Sequence, residues 1–387
     1  MEKVRLGDVC TINGGYAFKS DQFSTEGVPV IRIGNITKEG LIIDEDVCYD
    51  EKFWNENDSY RIAENDILIA MSGATVGKSC INNTERKLLL NQRVAAINCD
   101  NNINLKYIFY SIDSEKFSKY IMTNSIGCAQ PNISLKQIAN FEISAVCLEE
   151  QNRIADELDK VTDVINKRKQ QISKLDELVK ARFVELFGDP ETNSNGWKKV
   201  TVGDVCSSIV RGPFGSALKK DFFVEPSDTT YKVYEQKHAI QKSATIGTYY
   251  VTEEKYQELK RFECVSGDII MSCSGTMGEL YQLPEGCERG IINQALCKFT
   301  LNDKMLPVCF LTYMKQTIGN LETKGSGIKN IAAVSYVKAM PINLPPMDVQ
   351  LEFENFCKQT DKSKLEVQKS LEKLELLKKA LMQKYFG

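Results

Sequence analysis

The stretch "DILIAMSGATVGKSC", residues 66 to 80, runs a buried-strand pattern into a glycine turn that ends in Gly77-Lys78-Ser79, the residue types of a phosphate-binding loop. In such a loop, successive backbone N–H groups curl around the phosphates, and a helix N-terminus faces them. Here only Ala74, Thr75 and Val76 separate Gly73 from Gly77, one residue fewer than that nest needs. Cys80, Ile81, Asn82, Asn83 and Thr84, which follow, do not read as a helix. The other residues able to do chemistry are equally sparse. His238 is the single histidine and has no neighbour in sequence that would pair with it as a catalytic base, so it reads as a turn residue. Thirteen cysteines include no C-x-x-C pair, and one histidine does little to complete a zinc site. They are expected to be reduced, mostly buried thiols, with no metal.

The chain has 387 residues, 42% of them hydrophobic, enough for a full core and for two or three domains. No run of about eighteen apolar residues is present to span a membrane, and "MEKVRLGDVC" lacks the basic start and apolar centre of a signal peptide. The expected location is the cytoplasm. The net charge of −3 argues, taken alone, against nucleic acid as a partner.

The stronger signal is self-similarity. "VRLGDVCTI" at 4 returns as "VTVGDVCSS" at 200, and "NDILIAMSG" at 65 returns as "GDIIMSCSG" at 267, so that Asp66 matches Asp268 and Gly73 matches Gly275. Asn91-Gln92 matches Asn293-Gln294, Gly127 and Asn132 match Gly325 and Asn330, and two long polar-apolar segments both close in Phe-Gly, at 188 and 387. Order is kept while loop lengths differ. The chain is therefore two tandem copies of one unit. In the second copy the glycine turn is "SGTMGEL", with Glu279 after Gly278 where the first copy has Lys78 after Gly77. A phosphate cradle would not exchange its lysine for a carboxylate, so the shared requirement is the Ser-Gly turn after a buried strand.

The elements that position these turns differ in texture. About 150 residues of each copy mix short β-type runs (28–36, 66–71 and 93–99 in the first) with glycine turns and a helix over 105–121, an α/β (α+β) globular domain. A long helix follows. In the first copy Ile154, Leu158, Val161, Ile165, Ile172, Leu175 and Val179 recur at spacings of three and four, interrupted at Arg168. In the second the seam is Phe353, Cys357, Thr360, Lys364, Val367, Leu371, Leu374, Lys378 and Leu381, which is more polar. No proline or glycine interrupts 150–187 or 348–386, and a helix with one apolar stripe needs a partner. Simple dimerisation or a solvated spacer is the alternative, but the duplication favours an internal pair, expected as an antiparallel coiled coil.

This layout resembles the specificity (S) subunit of type I restriction-modification enzymes. The resemblance covers the whole chain and rests on "LGDVC" and "VGDVC", the "GDIIMSCSG" strand and turn, "CAQPNIS", the exits "ISAVCLEEQNRI" and "INLPPMDVQLEF", and "LFGDP" at the end of the central helix. It implies a target-recognition domain over 1–149, a central conserved helix over 150–188, a second recognition domain over 189–347 and a C-terminal conserved helix over 348–387. Each recognition domain would read one half of a split sequence in double-stranded DNA, with the helices fixing the gap. Two methylation subunits would bring S-adenosylmethionine, and restriction subunits would bring ATP- and magnesium-dependent translocation and cleavage. No cofactor and no catalytic residue is expected on this chain. It has no [Asn/Asp/Ser]-Pro-Pro-aromatic motif of an amino-methyltransferase, "NLPPM" at 343–347 being the nearest echo.

Within that frame the near-neutral charge is no obstacle, because phosphate affinity follows the number of basic residues at the contact. Arg, Lys, Asn and Gln have the geometry to read base edges. In the first copy the candidates are Lys19, Arg32, Asn35, Lys78, Gln92 and Arg93, and in the second Arg211, Lys219, Lys220, Gln236, Lys237 and His238. A solvated surface charge is the alternative at each. Two other classes stay open: a nucleotide enzyme, which would need Lys78 or His238 to act catalytically, and a non-enzymatic coiled-coil scaffold or DNA-binding protein with no sequence preference.

Overall fold

A computed structural model describes residues 2–99, 102–124, 131–189, 192–318 and 334–387. Gly127, Gly325 and Asn330 of the repeated motifs lie outside the described residues. The chain forms two compact units, one of Met1–Lys169 with Gln368–Gly387, the other of Gln170–Val367.

Unit 1 is built on a four-stranded sheet. Its strands are β1 (Cys10–Gly14), β2 (Ile67–Ala70), β3 (Ser79–Ile81) and β4 (Val94–Cys99), in the order β1-β4-β2-β3. All neighbours are antiparallel, with Ile97 opposite Ile12 on one side and Ile67 on the other. The unbroken apolar run of β2 follows from burial on both faces: Ile67 and Ile69 enter one core cluster, Leu68 and Ala70 another. Asp66, which heads the motif, is a buried clamp, accepting from the backbone N–H of Ala63 (2.8 Å) and the amide of Asn98 (3.0 Å). A second, smaller sheet pairs Val28–Ile31 antiparallel with Cys48–Tyr49 and parallel with Leu89–Leu90. The ends of the module are zipped by a ribbon in which Lys3–Arg5 lies antiparallel to Glu142–Ser144.

Unit 2 repeats the plan. Here β5 (Cys206–Arg211), β6 (Ile269–Ser272), β7 (Leu280–Gln282) and β8 (Leu296–Leu301) stand in the order β5-β8-β6-β7. Asp268 is the matching clamp, bonded by Val265 N–H (3.0 Å) and Thr300 (2.6 Å), and it also pairs with Lys298 (3.3 Å). Thr230–Tyr234 runs parallel to Gly290–Ile292 in the smaller sheet, and the ribbon pairs Lys198–Thr201 with Pro341–Leu344. In both units a glycine sits where the first strand leaves its sheet and crosses the Asn-Gln turn. A Cβ on Gly15 would come within 2.2 Å of Leu90 O, and one on Gly212 within 1.9 Å of Asn293 O, so only glycine passes there.

Two expected elements are shorter than their sequence patterns. The run 28–36 stops being a strand at Ile31, because a side-chain cap at Arg32–Asn35 turns the chain. The helix over 105–121 is two helices, Leu105–Ile112 and Glu115–Asn124. The Ser114 hydroxyl accepts the Phe117 N–H (3.2 Å) and so starts the second one.

The long helices run Leu148–Phe187 and Met347–Phe386, about 60 Å each at 1.5 Å per residue. Within each unit they are antiparallel. In unit 1, Tyr385 donates to Glu157 (2.6 Å) and Lys169 faces Glu375 (3.7 Å); in unit 2, Lys364 pairs with Asp176 (2.7 Å) and Arg182 with Glu352. Ile154 and Leu158, with Leu381 and Phe386, complete the core of unit 1, while Phe183, Phe187, Phe353 and Cys357 complete that of unit 2. Ile165, Thr360, Val367 and Leu371 are buried. Val161, Ile172, Leu175, Val179, Lys364, Leu374 and Lys378 are half-buried. Among the described residues no helix is long and apolar enough to cross a membrane, and no group of three or more His, Cys, Asp or Glu could hold a metal ion.

Candidate functional site

The glycine turn of unit 1 is not a phosphate nest. The N–H groups of Gly73, Val76, Gly77 and Lys78 donate to Pro131 O, Gly73 O, Ala70 O and Thr75 O respectively. The next element, β3, is a strand. Gly73 has φ +78° and its counterpart Gly275 φ +62°, so the turn itself demands glycine in both units.

The turn stands where β2 ends, and the candidates of unit 1 gather around it. Ala70 N–H bonds Lys78 O (2.9 Å) on one side of the strand, and Met71 N–H bonds Arg93 O (2.8 Å) on the other. Lys78, Gln92 and Arg93 are exposed there. Beside them a cleft of about 290 Å³ is lined by Met71, Ser72, Gln92, Arg93, Pro131 and Asn132. In unit 2, Ser272 N–H bonds Glu279 O (2.9 Å) and Cys273 N–H bonds Ala295 O (2.8 Å), the same frame. A larger cleft of unit 1, about 460 Å³, lies between Tyr110, Asp113 and the C-terminal helix and holds none of the DNA candidates.

The remaining candidates have different surroundings. Lys19 and Lys219 are exposed at equivalent positions, each capping a short 3-10 turn, with Lys220 exposed in the second of these turns. Arg32 pairs with Asp44 (3.0 Å) and Lys237 with Glu235 (2.7 Å). The Arg211 guanidinium lies over the exposed ring of Phe214, 5.3 Å from its centroid.

Asn35 and His238 occupy one structural position. Asn35 Oδ1 accepts Arg32 N–H (2.8 Å), and His238 Nδ1 accepts Glu235 N–H (2.8 Å), each closing a capping box after the parallel strand. Both are buried, and their other polar atoms are bonded as well: Asn35 Nδ2 donates to Ile42 O (2.8 Å) and His238 Nε2 to Ile246 O (2.7 Å). Burial lowers the proton affinity of the imidazole and keeps it neutral. Gln236 reaches over the Ser-Gly turn, donating to Ser274 O and accepting from the Ser274 hydroxyl (3.3 Å). These three side chains therefore serve the fold, while Lys19, Lys78, Gln92, Arg93, Lys219 and Lys220 project into solvent. Sequence reasoning passed over Gln294, exposed at the position of Gln92, although the repeated Asn-Gln pair pointed to it.

The family described as Type I restriction modification DNA specificity domain matches residues 1–175 and again 194–376, and the chain belongs to it. The specificity subunit of the type I restriction enzyme MjaVIII, from Methanocaldococcus jannaschii, is 30% identical over 182 residues, 45% of this chain; the chain spans 43% of that relative's length. Among solved structures, the S subunit of a type I restriction-modification system from M. genitalium shares the fold, with TM-score 0.55 at 14% identity over 100% of this chain and 96% of that one. A chain from a structural study of complex assembly and conformational transition of the type I R-M system gives TM-score 0.62 at 16% identity, over 100% and 97%.

Proposed function

We propose that this chain is the DNA specificity subunit of a type I restriction-modification complex. Each recognition domain, 1–149 and 189–347, reads one half of a bipartite target, and the helices over 150–188 and 348–387 set the spacer and dock two methylation subunits. The chain itself catalyses nothing; S-adenosylmethionine, ATP and magnesium belong to the methylation and restriction subunits, and the complex works in the cytoplasm. One feature above all supports this reading: a duplicated scaffold that presents the same two turns at the end of a buried strand, with Lys78, Gln92 and Arg93 around them in one unit and Gln294 and Ala295 in the other. A scaffold protein would have no use for paired, differently furnished edges. Phosphate contact from a few lysines such as Lys19 and Lys219 suffices when partners clamp the DNA.

The test is selection from random duplexes by the chain assembled with its cognate methylation subunits, followed by mapping of methylated adenines. A split target is expected. Replacing 189–347 with the matching domain of a relative is expected to change one half only, and a change in both halves would show that the modules are not independent. Binding without sequence preference would leave the scaffold reading in place.

A further inference from the structure

Among the described residues the serine of the Ser-Gly turn has its hydroxyl bonded in unit 2 and not in unit 1. In unit 2 Gln236 bonds the turn, the Ser272 hydroxyl donates to Thr276 O (2.6 Å), and Glu279 N–H donates to the Ser272 hydroxyl (3.0 Å). In unit 1 Ile33 stands in place of Gln236. A Cβ on Gly73 would meet Ile33 Cδ1 at 3.7 Å, where one on Gly275 would meet Gln236 Nε2 at 3.3 Å. Isoleucine offers the turn no hydrogen bond. The hydroxyls of Ser72 and Thr75 are both buried there without a partner among the described residues. A buried hydroxyl left unbonded is costly, so it gains from a bonding group brought by water or by a ligand. Ser72 also lines the 290 Å³ cleft, together with Gln92 and Arg93. Arg93 is exposed and has no ion-pair partner among the described residues.

We propose that this cleft takes the major-groove edge of a guanine in the first half-target, with Arg93 as the reading side chain and Ser72 as a second specificity-determining group. The inference rests on the function proposed above. Arg93 donates its fork to guanine O6 and N7, the pairing an arginine makes best. The Ser72 hydroxyl, which swings about a single bond, meets the same base pair as donor or acceptor. The surroundings suit a base better than a phosphate: Met71 and Pro131 make apolar walls, Arg93 is the cation among the described lining residues, and four turn amides are already bonded within the protein. The second unit, with Gln236 covering its turn, reads its half-target by other means.

The experiment uses the chain assembled with methylation subunits and selects from random DNA. Arg93→Lys, which keeps the charge and loses the fork, and Ser72→Ala are each expected to relax one guanine position of the first half by about ten-fold and to leave the second half unchanged. Ile33→Gln, which supplies unit 1 with the amide of unit 2, is expected to relax the same position. Equal weakening on all sequences with a shallower salt dependence would assign Arg93 to a phosphate and overturn the proposal. So would an unchanged first-half preference, or relaxation at an adenine. Arg93 is a surface residue, so its variant reports even if the turn variants fold poorly. A wild-type complex that selects no split sequence would instead remove the proposed function itself.

Discussion

Gln236 in unit 2 and Ile33 in unit 1 stand over the same turn, and the difference between them separates what the scaffold requires from what it leaves free. The backbone frame is common to both units: a positive-φ glycine, a buried strand before it and an Asn-Gln turn beside it. The hydrogen bonds of the turn are not common. Unit 2 bonds its turn through Gln236, while in unit 1 the hydroxyls of Ser72 and Thr75 have no partner among the described residues. A duplicated fold can thus hold its backbone geometry constant while the side-chain bonding around it differs between the copies.

The largest effects of single substitutions are expected in the cores of the two units. Phe353 is fully buried against Phe183 and Phe187, with ring centroids 5.4 and 5.6 Å away, and its counterpart in unit 1 is Ile154. Phe353→Ala is expected to cost about 3–5 kcal/mol and Ile154→Ala about 2–4, read as shifts in urea midpoint. Equal small losses would mean that the helices contribute little to either core.

An intermediate effect is expected at the turns. Gln236→Ala breaks bonds to Ser274 and should destabilise unit 2 by about 1–3 kcal/mol, whereas Ser72→Ala removes a hydroxyl that bonds nothing and should be neutral or slightly stabilising. Thermal melting of the two variants checks the contrast, and a destabilising Ser72→Ala would end it.

The smallest effect concerns pH. His238 is held neutral by burial, with its proton affinity below the ordinary 6.5. As pH falls below about 6.5 the unfolded chain takes up a proton that the folded chain refuses, so stability drops through that window and is fully present above it. His238→Asn places unit 1's own residue in the capping box, and melting followed between about pH 7 and 5 should then lose this component. An unaltered pH profile would show that the imidazole is not the group responsible.

The duplication was legible because the letters that repeat are the ones the backbone demands, Asp66 and Asp268 as clamps and Gly73 and Gly275 as turns. The long helices were legible from their seams to within a few residues. The shared role of Asn35 and His238 was hidden, since a capping box asks only for an acceptor, and an amide and an imidazole both supply one. The place of Ile33 was hidden for the opposite reason: what matters there is a bond that isoleucine does not make. Exposed side chains such as that of Gln294 leave no trace in periodicity, because a side chain that packs against nothing answers to no pattern.

The division of the chain also has a consequence for its synthesis. Unit 2 is one continuous run, Gln170–Val367, and has everything it needs once that run has left the ribosome. Unit 1 is interrupted: Ile154 and Leu158 reach their partners Leu381 and Phe386 only after unit 2 has been made. At about 5–20 residues per second, Gln368 follows Lys169 by roughly ten to forty seconds. For that interval the nascent first unit carries a bare apolar stripe, and the unit begun first is the last to be completed.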